Sequence, residues 1–122
     1  MLGRYLNCMG KRVFIAGALS SKEVTNRTPS RVVVDYLANV HKMVMVASEV
    51  RKLGHYPFIP ALDLLCGIVG GNWNEEDYRG MSTGFLEVCD CVLVISMSIG
   101  VEREIKVARQ LGIPIYHGIE EI

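Results

Sequence analysis

The chain has 122 residues, half of them apolar, with 13 Lys and Arg set against 13 Asp and Glu for a net charge of zero. That length fits one domain, spanning 1–122, whose core holds without disulfides or a structural metal. The charge balance excludes the basic excess of a dedicated nucleic-acid binder, and no stretch approaches the roughly 18–20 uninterrupted apolar residues of a membrane span.

Residues 1–10 lack the charged start, apolar middle and small-residue cleavage site of a signal peptide, and read as a flexible or peripheral N-terminus. Arg12-Val13-Phe14-Ile15-Ala16 is a β-branched, apolar run that ends at Gly17. Ser20 to Ser30 reads as a loop. From Asp35 to Leu53 the residues Leu37, Val40, Met43, Val44, Ala47 and Val50 follow the spacing of one helical face, and Gly54 suits a left-handed terminus. Tyr56 to Pro60 is a short second strand, and Leu65 to Asn74, with Gly67, Gly70 and Gly71, reads as a second loop. A short helix over Met81 to Val88 precedes Cys91-Val92-Leu93-Val94-Ile95, a run apolar at every position, as a strand covered on both faces should be. Val101 to Leu111 is a further helix stopped by Gly112, and Ile113 to Tyr116 closes the chain as an edge strand marked by Pro114.

This alternation predicts a single small three-layer α/β domain, Rossmann-like in the flavodoxin manner, with a mainly parallel sheet of four to five strands. Ligands bind such sheets outside the carboxyl ends of the strands, which directs attention to Gly17–Ser21, Pro60–Asp63 and Ser96–Glu104. Of the cysteines Cys8, Cys66, Cys89 and Cys91, none forms a C-x-x-C pair, which fits reduced thiols in a cytoplasmic protein.

Ser98-Ile99-Gly100-Val101 opens a helix after a strand, so its free amides and the helix dipole make either an anion site or a plain cap. At about 100° per residue, Glu104 falls inside the apolar arc of Val101, Ile105, Ala108 and Leu111, whereas Glu102, Arg103, Lys106 and Arg109 fall outside it. An inward carboxylate is either satisfied by a polar loop and the dipole or kept for chemistry. Trp73 and Tyr78, in and beside the glycine-rich loop, either stack on a ligand's base or anchor the loop. No Walker lysine, no G-x-G-x-x-G and no two histidines at metal-ligand spacing occur, so neither a cofactor nor a metal is expected.

Val13-Phe14-Ile15-Ala16-Gly17, the helix ending Leu53-Gly54, Pro57-Phe58-Ile59-Pro60, Cys89-Asp90-Cys91-Val92-Leu93-Val94, and above all Ser98-Ile99-Gly100-Val101…Glu104…Ala108 with Gly112-Ile113-Pro114 occur in this order. From Lys11 onward the chain thereby resembles the nucleoside 2-deoxyribosyltransferase-like superfamily, which includes deoxynucleoside 5′-monophosphate N-glycosidases. The resemblance implies that Glu104 is the nucleophile on the anomeric carbon of a nucleoside or nucleotide. Ser98 and the amides of Gly100 and Val101 would hold a sugar hydroxyl or phosphate, with Gly17 admitting the ligand close to the backbone and Ser20 or Ser21 adding a hydroxyl. It further implies a homo-oligomer, a dimer or larger. The family often carries an acidic residue eight positions before the aspartate matching Asp90, and here that position is Ser82. Asp77, Glu76 or Asp63 are then the groups left to act as acid. Trp73 and Asp63 remain candidates for contacting the substrate. The rival expectation is a nucleotide-binding or sensor domain without catalysis, and a third is a structural assembly module.

Overall fold

A computed structural model of the protein describes residues 10–19 and 28–122. Cys8, Ser20 and Ser21, and all but Gly10 of the expected peripheral N-terminus, lie outside the described residues.

Four parallel strands form one sheet: β1 (Arg12–Ala16), β2 (Tyr56–Phe58), β3 (Cys91–Val94) and β4 (Ile115–Tyr116), in the order β2-β1-β3-β4. The registers pair Val13 with Pro57 on one side of β1 and Val13 with Cys91 on the other, while Val92 pairs with Ile115. Alternation along the strands builds two cores. Val13, Ile15, Cys91 and Leu93 face α1 (Pro29–Lys52), meeting Met43 and Val50. Phe14, Ala16, Val92 and Val94 face the opposite way onto α3 (Glu75–Leu86) and α4 (Ile99–Leu111), meeting Leu86, Val101, Ile105 and Ala108. With helices on both faces, every side chain of the two central strands except Arg12 at the start of β1 is apolar and buried, which is why neither shows an apolar–polar alternation. Burying a side chain such as Phe14 in this way contributes about 2–3 kcal/mol. The molecule is thus the small three-layer Rossmann-like domain that the strand and helix pattern predicts, with four strands.

Several boundaries differ from expectation, each for a local reason. α1 begins at Pro29, well before Asp35, because Thr28 caps it by accepting the Arg31 N–H at 3.2 Å and proline fits the first turn. Its outer part is not amphipathic: Val32, Val33, Val34 and Leu37 are all exposed, and only Met43, Ala47 and Val50 are buried. The expected loop at Leu65–Asn74 contains a two-turn helix, α2 (Leu64–Gly70), ended by Gly71 at φ +81°. α3 starts at Glu75 rather than Met81, through a reciprocal capping box in which Asn74 accepts the Asp77 N–H and Asp77 accepts the Asn74 N–H. β2 stops at Phe58 and gives way to a 3-10 turn, Pro60–Asp63. β4 is two residues long, with the Pro114 carbonyl outside it accepting the Val92 N–H at 2.9 Å.

The order β2-β1-β3 means that the chain leaves β1 in one direction and returns on its other side. The crevice beyond the carboxyl ends of β1 and β3 is therefore a topological switch point, where the loops diverge and leave room for a ligand.

Candidate active site

A cleft of about 960 Å³ opens at this switch point. Its floor is Ile15 and Gly17 at the end of β1, with Met43 of α1 behind them, and its near rim is Pro60, Ala61 and Asp63 of the 3-10 turn. Tyr78, Arg79, Ser82, Thr83 and Leu86 come from α3, all on one helical face. Facing them, α4 presents Gly100, Arg103, Glu104 and Val107, again at three- and four-residue spacing, below its first turn Ser98–Gly100.

Glu104 points into this cleft and is largely withdrawn from water. Burial pushes its carboxyl above the ordinary carboxylate range, the hydrogen bond from Ser82 opposes that rise, and the neighbouring charge of Asp63 adds to it. The Ser82 hydroxyl donates to Glu104 Oε2 at 2.7 Å and fixes the carboxylate from α3. Oε1 accepts no hydrogen bond among the described residues. An immobilised carboxylate with one oxygen bonded and one free, in an apolar-floored cleft, is able to act as a nucleophile or as a counter-charge to a developing cation.

Above it, Ser98 caps α4, its Oγ accepting the Val101 N–H at 3.1 Å. That bond corrects one expectation. The Val101 amide is satisfied within the cap and its side chain is 1% exposed in the core, so Val101 has no donor to offer a ligand. The amides of Ile99 and Gly100 lie earlier in the turn and lack a carbonyl one turn below, so the dipole's positive end and two donors without an intrahelical partner belong to residues that line the cleft.

The remaining expected site residues divide. Gly17 lines the cleft at a closely packed point: a Cβ there would lie 3.0 Å from the Met43 sulfur, which would have to give by a few tenths of an ångström, and 3.5 Å from Ser96 Oγ. The Ser96 hydroxyl in turn accepts the Ala18 N–H at 2.8 Å, tying the turn after β1 to the turn after β3. Asp63 lines the cleft and is half-buried, with burial raising its carboxyl as well. Asp77 does not line it, since its carboxylate is engaged in the α3 capping box. Trp73 also lies elsewhere, in a shallow hollow with Asn72, Asp77 and Met81; its ring centroid is 5.2 Å from that of Tyr78 and it packs beside Gly67 and Gly70. The aromatic is an anchor for the loop, while Tyr78 itself reaches the cleft wall.

Sequence reasoning set Ser82 aside because a hydroxyl is not an acid. The structure makes it the partner of Glu104, and the helical spacing 75, 78, 79, 82, 86 along α3 is the signal that could have exposed it. The same spacing contains Arg79, whose guanidinium bonds to Glu75, a carboxylate that also accepts from Arg103 at 3.4 Å. These contacts hold Glu75 ionised, below the usual carboxylate range, the Arg79 hydrogen bond weighing most.

Asp90 stands at the amino end of β3, away from the cleft. It accepts the Arg12 backbone N–H at 2.7 Å and the Arg12 guanidinium at 3.3 Å, pinning the starts of β1 and β3 together. Neither flanking cysteine is a nucleophile: burial pushes the Cys89 thiol up to about 11 and raises that of Cys91. Among the described residues no group of three or more His, Cys, Asp or Glu is arranged to hold a metal ion, and no helix is long and apolar enough to cross a membrane. No known protein family, curated protein or solved structure matches the chain.

Proposed function

We propose that the protein cleaves or exchanges the N-glycosidic bond of a nucleoside or nucleoside 5′-monophosphate, with Glu104 as nucleophile. The observation that carries this reading is the inward Glu104 carboxylate, fixed by Ser82 and placed beside an uncovered helix N-terminus at the switch point of a parallel sheet. The sequence resemblance to the nucleoside 2-deoxyribosyltransferase-like superfamily supports the same reading. So does the coincidence that Ser82, found by counting back from Asp90, is the residue in contact with Glu104.

In this mechanism the base lies on the apolar floor of Ile15, Met43 and Leu86. A sugar hydroxyl or phosphate is held by the Ile99 and Gly100 amides. Glu104 attacks the anomeric carbon as the carbon–nitrogen bond breaks, and its charge stabilises the oxocarbenium-like transition state. Water or a second base then displaces Glu104. The protein works in the cytoplasm as a homo-oligomer in this proposal, and the exposed Val33, Val34 and Leu37 of α1 are what such an assembly would cover. Met43 and Ala47 of the same helix are committed to the sheet.

The test is incubation of the purified protein with ribo- and deoxyribonucleosides and their 5′-monophosphates, with and without a free acceptor base, read by chromatography. Released base, or an exchanged base with acceptor present, is expected, and Glu104→Gln should abolish either. A second reading, a nucleotide sensor without turnover, is favoured by the neutral hydroxyl of Ser82 where the family carries an acid. Thermal stabilisation by a nucleotide with no product would establish it instead.

A further inference from the structure

The reaction proposed above needs two carboxyl groups, one to attack the sugar and one to protonate the departing base. Asp77, one of the groups left by the serine at position 82, is spent in a helix cap outside the cleft. Glu76 does not line the cleft either. Of the carboxylates that do, Glu75 is tied to Arg79 and Arg103, and Glu102 lies on the exposed side of α4. Asp63 is different. It closes the 3-10 turn after β2, so it reaches the cleft from the opposite side of β1 to Glu104, which arrives from the element after β3. The turn is held in place by the Tyr36 hydroxyl, which donates to the Ala61 carbonyl at 3.0 Å. Asp63 is half-buried, and among the described residues no other side chain hydrogen-bonds to its carboxylate. Its charge is felt at Glu104 across the cleft and at Tyr36.

Resting on the N-glycoside reading, we propose that Asp63 is the proton donor to the leaving base, taking over from a different element the task that Ser82 cannot perform. In the first half-reaction the Glu104 carboxylate forms a bond to the anomeric carbon. The electron pair of the broken carbon–nitrogen bond goes to the base nitrogen, and the Asp63 carboxyl proton goes to the base. In the second half-reaction the Asp63 carboxylate takes a proton from the entering water, whose oxygen displaces Glu104. Burial raises the carboxyls of Asp63 and Glu104 alike and their charges repel, so the pair retains one proton; the reacting form carries that proton on Asp63 and the charge on Glu104.

The experiment compares the wild type with Asp63→Asn and Asp63→Ser on a series of N-glycosides that the wild type accepts, ordered by the acidity of the leaving base. A proton donor makes the rate nearly indifferent to the leaving group, so kcat/KM should vary little across the series in the wild type. In both variants it should fall about 100-fold or more for the poorest leaving base and less than about 10-fold for the best. Because the readout is the ratio between substrates, a variant that is only partly folded still reports. Equal losses across the series, or none, would overturn the assignment while leaving Glu104 as nucleophile. Absence of turnover by the wild type on every N-glycoside would instead overturn the underlying reading, and the role of Asp63 with it.

Discussion

Replacing Glu104 with glutamine should make the protein more stable and less active at once. In the wild type, burial raises this carboxyl, with the Ser82 hydrogen bond opposing and Asp63 reinforcing the rise. The folded protein therefore holds the Glu104 proton more tightly than the unfolded chain does. Stability is then lost as pH rises from the ordinary carboxylate range through the folded-state value, and the loss is complete above it. At pH 8 the wild type carries a partly desolvated charge. Glutamine keeps the shape, and its carbonyl still accepts from Ser82. The gain should be about 1 kcal/mol at pH 8, or about 4 °C in Tm for a domain of this size, and near zero at pH 4, where both side chains are neutral. The assay is thermal unfolding of both proteins at half-unit pH intervals from 4 to 8, paired with the product assay, in which turnover should fall at least ~1000-fold. A Tm difference that does not change with pH, or one that favours the wild type at pH 8, would refute the argument that Glu104 is strained by burial.

Ser82→Ala removes the donor opposing the rise at Glu104, so the acidic limb of the pH–rate profile should move upward; kcat/KM near neutrality should drop about 10–30-fold, as expected for a charge-assisted bond of about 2 kcal/mol. Gly100→Ala should leave the fold intact or slightly more stable, by up to ~1 kcal/mol, because a Cβ there meets nothing closer than Ser98 Oγ at 3.7 Å. The new methyl would stand over the cleft, so KM should rise with little change in kcat, as titration of substrate would show. Gly67→Ala should destabilise the protein sharply in thermal unfolding, because the added carbon would overlap the Tyr78 hydroxyl; an unchanged Tm would contradict the packing described for the Trp73 loop. Asp90→Asn should lower Tm at pH 7 and leave kcat/KM unchanged. The hydrogen bonds from Arg12 lower its carboxyl, so the stability it contributes is present above the ordinary carboxylate range and lost as pH falls through the depressed value.

β1, β3 and α4 are legible in the sequence because each is strongly patterned: the two strands are apolar at every position after Arg12, and α4 has a clean apolar arc closed by Gly112, at φ +72°. Glu104 stands out for the same reason, as the one carboxylate inside that arc. α3 is not legible over its full length. Gly80 and Gly84 interrupt it, its first turn is all acidic, and the stripe it lays against the cleft is mostly polar. Hydrophobic periodicity finds helices by the face they bury in the core, and α3 turns much of its inner face toward a cavity instead. The Asn74…Asp77 box was the available start signal. The outer turns of α1 are hidden by the opposite fault, since consecutive valines carry no helical period. Ser82 illustrates the harder limit, because its importance lies in a bond to a residue 22 positions away, which no local pattern encodes.

Ile15, Met43, Ala61, Leu86 and Val101 are each fully or nearly fully buried, and each also forms part of the cleft wall. The pocket and the core are therefore one surface seen from two sides. Enlarging the cavity for a bulkier ligand by trimming Met43 or Leu86 would also remove core packing, at about 2–5 kcal/mol for truncation to alanine. Selection for a new specificity would find its cheaper routes at the rim, through Thr83, Arg79 and Arg103. Variation among descendants of this sequence should concentrate there, with the floor left almost untouched.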